Sequence, residues 1–494
     1  MAPPSSGPSR PAGVSPASTP GFIQALGLRD VVLMSVVAVV SLRWITRGAL
    51  AGPSSVTLWL LASVAFFVPL AVAVAELASR HPDQGGIYAW TRRAFGPAHG
   101  FVCAWCLWVN NLFYFPSLLL FGAANALALF GDRYATVADS RAYGVAFVLA
   151  SLWLCIGLNT IGLNAGKWLQ NVGSLGTWIP AALLVGAGAV AFAWFGSATA
   201  FSPSALVPPV RTDAIGTLGL WSAMCFAFSG IEVTSFVGQE VRNPRRTIPA
   251  GVLIAGVAIA ATYILGSASV LVAVPADALN ELSGIADAVS LAGGRVGLGA
   301  LGGLTGGLLA LAAIACTASW VAGAARVPFA AGVDRVMPAA LGRLHPRYRT
   351  PHVALVVQGL AATAILFVSV FLSFTSEETS LQDAYDIMVN LTILLYFVPY
   401  LYLFLAFARL RAEAPPPAAG EIRAPGGRVG LWLLAGSGLV ATAVSLALTL
   451  APPPATTSVL NYELNLVLQA AAILGVGGVL YLRERRRRRQ NAEV

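Results

Sequence analysis

Long apolar runs, parted by short basic or Pro/Gly-rich turns, set the pattern of this chain. Runs of spanning length fall at about 31–52, 57–79, 100–130, 142–161, 167–195 and 215–239. Six more fall at about 248–274, 296–325, 352–373, 384–409, 429–450 and 460–482. A bilayer core of about 30 Å needs about 20 apolar residues of helix. The pattern therefore predicts an all-α polytopic membrane protein with about 12 transmembrane helices.

In lipid a helix satisfies its own backbone, so an interruption within a span is the informative event. Two runs are interrupted. In the first, the smooth stretch Val31 to Val40 gives way half-way to Ser41-Leu42-Arg43-Trp44-Ile45-Thr46-Arg47-Gly48. In the sixth, Phe226-Ala227-Phe228-Ser229-Gly230-Ile231-Glu232 sets a weak point before a carboxylate. Gly costs about 1 kcal/mol against Ala in a helix, and Ser can bond its own backbone. A carboxylate at that depth costs several kcal/mol by most scales. Two readings stay open for Glu232: a kinked helix in which it bonds a neighbour, or a solute site at a broken helix. The interrupted spans lie five helices apart, the spacing of a 5+5 inverted repeat with the site between broken helices 1 and 6.

Arg43 is the costly residue of helix one, at about 2.5–3.5 kcal/mol on insertion scales unless it meets water or a carboxylate. Its expected partners are a substrate carboxylate or Glu232, with the outer vestibule as a further possibility. Arg47, one turn on, is expected to snorkel to the interface. On helix three, Asn111 is the polar residue singled out for the site among Trp105, Trp108, Asn110 and Tyr114. Gly299, Gly303 and Gly307 predict a close-packing face on helix eight. Helices eleven and twelve carry little polarity and are expected at the periphery.

The division that follows is a disordered cytoplasmic tail over 1–25, five-helix repeats over 26–195 and 196–410, helices 11–12 over 411–482, and a basic cytoplasmic tail over 483–494. The first 20 residues, rich in Pro, Ser, Gly and Ala, do not read as a signal peptide.

Composition agrees: 494 residues, 57% hydrophobic and 10% charged, with a mean hydropathy of +0.76. The net charge of +9 is largely a topology signal. Of the 30 basic residues, 24 fall on the side of the N-terminus, while Arg133, Arg141, Arg211 and Arg295 fall opposite. Such asymmetry predicts cytoplasmic N- and C-termini. The basic residues flank the membrane on short loops, which speaks against nucleic-acid binding. All five cysteines, Cys103-x-x-Cys106 included, sit in apolar runs as packing residues. The four histidines lack ligand spacing, so neither a metal nor another cofactor is expected. A membrane-embedded enzyme would need a clustered nucleophile and base, which the sequence does not offer. A sensor that binds a solute without moving it remains an alternative. With no ATP-binding motif, a transporter would run on an ion or substrate gradient.

Several separated segments between about 26 and 410 resemble amino-acid permeases of the amino acid–polyamine–organocation (APC) superfamily. They are Ala75-Glu76-Leu77-Ala78-Ser79 with Gly85-Gly86-Ile87-Tyr88 and Ala94-Phe95-Gly96-Pro97; Phe226 to Glu232 with Glu240-Val241-Arg242-Asn243-Pro244; and Asp334 to Pro338 with Thr350-Pro351. Phe66-Phe67-Val68-Pro69 and Ala318-Ser319-Trp320 resemble the glutamate:γ-aminobutyrate antiporter-like branch. The resemblance implies a LeuT-like fold and proton-coupled or exchange transport of amino acids or their amines across the plasma membrane. It places Ser41, Leu42, Arg43, Ser229 and Gly230 at the two breaks that bind substrate. It also implies that Phe226 closes over substrate, Trp320 is a distal aromatic, Asn111 is a polar pocket residue and Glu232 serves coupling or gating. Where such permeases carry glycines whose bare N–H groups meet a carboxylate, this chain has Ser41-Leu42-Arg43, so its pocket should differ. Near the fifth-helix lysine of some proton-coupled members it has Thr177, and Lys167 lies ten residues earlier.

Overall fold

The computed structural model of this chain describes residues 27–81, 86–131, 134–138, 140–208, 215–232, 241–333, 338–372, 380–413, 421–452 and 458–492. The N-terminal tail, Glu240 and the Asp334 turn lie outside the described residues, as do the side chains of Lys167 and most of the terminal arginine run.

The first apolar run forms α1 (Leu28–Val39) and α2 (Arg43–Ala49). There follow α3 (Gly52–Arg80), α4 (Pro97–Ala126), α5 (Arg141–Ile161), α6 (Leu163–Phe195) and α7 (Ile215–Ala227). The second half begins with α8 (Pro244–Ala273), the short α9 (Gly284–Gly294), α10 (Ala300–Ala324) and α11 (His352–Phe371). It ends with α12 (Leu381–Glu413), α13 (Gly427–Thr449) and α14 (Val459–Ala492). Ten helices among the described residues are long and apolar enough to cross a membrane. Of the expected spans missing from those ten, the first is divided between α1 and α2, and the sixth is described only as far as Glu232. After α1, Val40 is extended (φ −70°, ψ 114°) before α2 restarts the helix. After α7 the chain runs through turns from Phe228 to Glu232. There Gly230 takes φ 107°, a conformation that side chains resist.

Other irregularities are satisfied by neighbours. Pro69 on α3 has no N–H to offer the Ala65 carbonyl one turn back. The Ser437 hydroxyl on α13 donates to that carbonyl instead, at 2.8 Å. The close approach on α10 is carried by Gly303, as expected, and by Gly306 rather than by Gly299 or Gly307. Gly299 lies just before the helix. A Cβ on Gly303 would stand 2.8 Å from the Ala128 carbonyl oxygen, and one on Gly306 2.7 Å from that of Asn125.

Helices α13 and α14 are among the least buried spans, as expected, but they carry more buried polarity than expected. Asn461, Asn465 and Gln469, spaced four apart, form one buried stripe on α14. Asn465 donates to the Leu372 carbonyl at 3.3 Å, and Asn390 on α12 donates to the Tyr462 hydroxyl. On α13, Thr449 meets Ser222 of α7 at 2.5 Å. At the end of the bundle that carries the N-terminus, buried Glu76 accepts from Arg411 at 2.8 Å and from the Ala424 amide at 2.7 Å. This carboxylate thereby fixes the approach to α13. Low average polarity hid these contacts because each needs only one side chain per turn.

Candidate functional site

The two helix breaks meet at one hydroxyl. Tyr263 of α8 is fully buried and stacked on Trp59, with ring centroids 4.6 Å apart. The Ser41 amide donates to its oxygen at 3.2 Å. The carbonyls of Val39, at the end of α1, and Ala227, at the end of α7, lie 2.9 and 3.0 Å away as acceptors for its proton. Breaking a helix frees such carbonyls and amides, and one phenol ties both ends together.

At the sixth span, Phe228 and Ser229 close tight turns onto the carbonyls of Cys225 and Phe226 at 3.2 and 2.8 Å. The Gly230 amide then points to the Glu232 carboxylate at 3.1 Å and the Tyr400 hydroxyl at 3.3 Å. Tyr396 donates to Glu232 at 2.5 Å, and Tyr400 lies 3.1 Å from both carboxylate oxygens. A carboxylate 1% exposed is thus held by hydroxyls one turn apart on α12.

Between the breaks lies a cleft. Ser41, Asn111, Phe226, Ser229, Gly230 and Trp320 all line it. Trp44, Asn110, Tyr114 and Tyr396 complete its polar and aromatic lining. Phe226 sits edge-on to Trp44 at 5.3 Å and to Tyr396 at 5.6 Å, while Tyr114 meets Trp320 at 6.0 Å. Leu42, Arg43 and Glu232 are buried and do not line the cleft; Arg43 lies behind Trp44 and Tyr114, and Glu232 behind Tyr396. Asn111 spends its amide on the Leu107 carbonyl at 2.8 Å. Sequence reasoning missed Tyr263 and Tyr396. Tyr396 and Tyr400 share a helical face four residues apart, a readable signal, whereas nothing local marks Tyr263.

Arg43 is 0% exposed, so it does not reach a vestibule, and its described partners do not include Glu232. Its Nη1 donates to Ser117 at 3.1 Å. The guanidinium lies 4.3 Å from the Trp44 ring centroid and 4.7 Å from that of Tyr114. Nε and Nη2 find no hydrogen-bond partner among the described residues. Cation–π contact returns about 0.5–2 kcal/mol to a desolvated cation. A second cation on the cleft side of either ring would stand roughly 8 Å away. Repulsion there is about 2 kcal/mol at an effective dielectric of about 20, enough to cancel that return.

Arg47 does not snorkel. It is 2% exposed, and its Nη1 bonds Glu281 at 2.5 Å and Asp386 at 2.6 Å. Gln382 spans the same two carboxylates at 3.3 Å each, and Arg47 Nη2 reaches Asn390 at 3.2 Å. Carboxylates from the chain before α9 and from α12 converge here. Two buried carboxylates, rather than water, receive its guanidinium.

The family model for amino acid permeases matches residues 26–477. An uncharacterised transporter of Legionella pneumophila is 28% identical over 87% of this chain and 90% of its own length. A protein of Lactococcus lactis named as a probable agmatine/putrescine antiporter is 23% identical over 88% of this chain and 89% of its own. A serine/threonine exchanger of Bacillus subtilis is 26% identical over 65% of this chain and 70% of its own.

Proposed function

The chain belongs to the amino acid permease family, and on that premise we propose that it is a secondary active transporter moving an amino acid or related amine across the plasma membrane. The observation that carries this reading is the cleft at the meeting of two broken helices, lined by Ser41, Ser229 and Gly230. Tyr263 takes up the Ser41 amide and the Ala227 carbonyl, so a carboxylate and an ammonium would meet the backbone groups left over at the two breaks and the side chains around them. Phe226 and Trp320 cover the solute, and Asn111 supplies a polar flank. Leu42 and Arg43 back the cleft on the helix-one side. Glu232, behind Tyr396, serves coupling or gating.

The gradient used is that of protons or of a second substrate. The exchanger and the antiporter among the relatives favour exchange for this chain. The lopsided basic residues support placing both termini in the cytoplasm. On that orientation Arg47 and Glu281 belong to the outer side.

The test is uptake into liposomes holding the purified protein. Each of the twenty amino acids, agmatine and putrescine is offered, with and without an inward proton gradient and with and without internal substrate. Uptake of at least one that requires a gradient supports transport. Saturable binding with no uptake under any condition would overturn it in favour of a sensor.

A further inference from the structure

Two buried charges stand behind opposite walls of the cleft. Behind the wall of α2 and α4 is Arg43, with two guanidinium N–H positions unpartnered among the described residues. Among the described residues no carboxylate lies within ion-pair distance of it, and the two rings it lies against, Trp44 and Tyr114, both line the cleft. Behind the opposite wall is Glu232, held by Tyr396 and the Gly230 amide, both of which line the cleft. One turn further out, Glu281 and Asp386 share Arg47, and the charge of Arg43 is felt at Glu281 as well.

We infer that Arg43 sets the charge class of the substrate: the site takes zwitterionic amino acids with neutral or acidic side chains and rejects diamines and cationic side chains. This rests on the cleft being the substrate site. Aromatic walls ordinarily welcome an ammonium or guanidinium through the negative faces of their rings. Here a guanidinium already occupies a face of Trp44 and of Tyr114, and its field crosses a thin, weakly screening layer to the cleft. An added cation meets repulsion that offsets its attraction to the ring. A zwitterion avoids this by turning its carboxylate to the Arg43 side and its ammonium to the Glu232 side. A diamine has no anionic end to offer Arg43.

The experiment ranks ligands by competition and thermal shift on the purified full chain. The probes are L-serine with ethanolamine, L-glutamate with γ-aminobutyrate, and L-arginine with agmatine and putrescine. Wild type should favour serine or glutamate over agmatine and putrescine by at least about tenfold, or about 1.4 kcal/mol. Arg43→Lys, which keeps the charge, should preserve that order. Arg43→Met should narrow the gap by about tenfold or more, chiefly by tighter binding of agmatine. Agmatine or putrescine binding wild type as tightly as the best amino acid would overturn the inference, and so would an unchanged ratio in Arg43→Met. Should Arg43→Met fail to fold, the wild-type ranking decides alone. Phe226→Ala separates the two levels: if it weakens all ligands while the ranking fails, the site stands and the role of Arg43 falls. If no probe binds wild type, both fall.

Discussion

Glu232 is held so that its charge can be removed with little change in shape. Tyr396 donates to it at 2.5 Å, and the Gly230 amide at 3.1 Å. A glutamine there would still offer Oε1 to the tyrosines, but it cannot ionise. Glu232→Gln should therefore abolish pH-dependent net uptake in liposomes while leaving some exchange; full proton-driven uptake by the variant would remove Glu232 from coupling. Phe226 is the aromatic at the centre of the wall, touching Trp44 and Tyr396. Phe226→Ala should weaken substrate affinity at least several-fold, about 1 kcal/mol or more, and unchanged affinity with normal expression would make it ordinary core. Glu232 stood out in the sequence as a charge within an apolar run, whereas Phe226 was marked only by the resemblance to amino-acid permeases. The fates of Arg43 and Arg47 were not legible there. One turn apart on one helix, they have the same local cost and differ only in what other helices bring to them. For Arg43 that is two rings and Ser117; for Arg47 it is two carboxylates.

At the scale of elements, the broken spans were readable and their fastener was not. Ser41-Leu42-Arg43 and Ser229-Gly230 interrupt otherwise apolar runs, which a spanning helix does not tolerate without a cavity. Tyr263, by contrast, is one tyrosine in a smooth helix, and its meaning arises only when α1, α7 and α8 converge. Its hydroxyl is the shared partner of the Val39 and Ala227 carbonyls and the Ser41 amide. Removing a buried partner leaves those groups unsatisfied at about 1–3 kcal/mol. Tyr263→Phe keeps the ring stacked on Trp59 and deletes only that hydroxyl. It should lower the Tm of the purified protein by several degrees and weaken substrate binding as well, since the breaks lose register. An unchanged Tm with unchanged affinity would show that the two breaks hold their positions without it.

At the scale of the whole molecule, the ion cluster around Arg47 binds the outer half of helix one to the chain before α9, to α12 and, through Asn390 and Tyr462, to α14. Those elements must part if the cleft is to open on the proposed outer side. Two carboxylates share one guanidinium nitrogen there, with Arg43, Asp383 and Tyr385 as the further charged or titratable groups on the same elements. Burial above all, and the Asp386 carboxylate beside it, push the Glu281 carboxyl up to about 7, against the pull of Arg47. Exposed to water by opening, it would return to the usual value of about 4.3. A group whose affinity for protons is higher when closed takes up a proton on closing. Its support for the closed arrangement is full below about 4.3 and is lost as pH rises through about 7. The cleft should therefore open outward more readily at pH 8 than at pH 6. A cysteine placed at Asn111, on the cleft wall, should react faster with a membrane-impermeant maleimide at pH 8, beyond the reagent's own pH dependence measured on a free thiol. Glu281→Gln stays neutral at every pH, so it should hold reactivity at the slow, low-pH level throughout. A variant that kept the wild-type rise between pH 6 and pH 8 would exclude Glu281 as its source and leave Arg47 with a purely structural role.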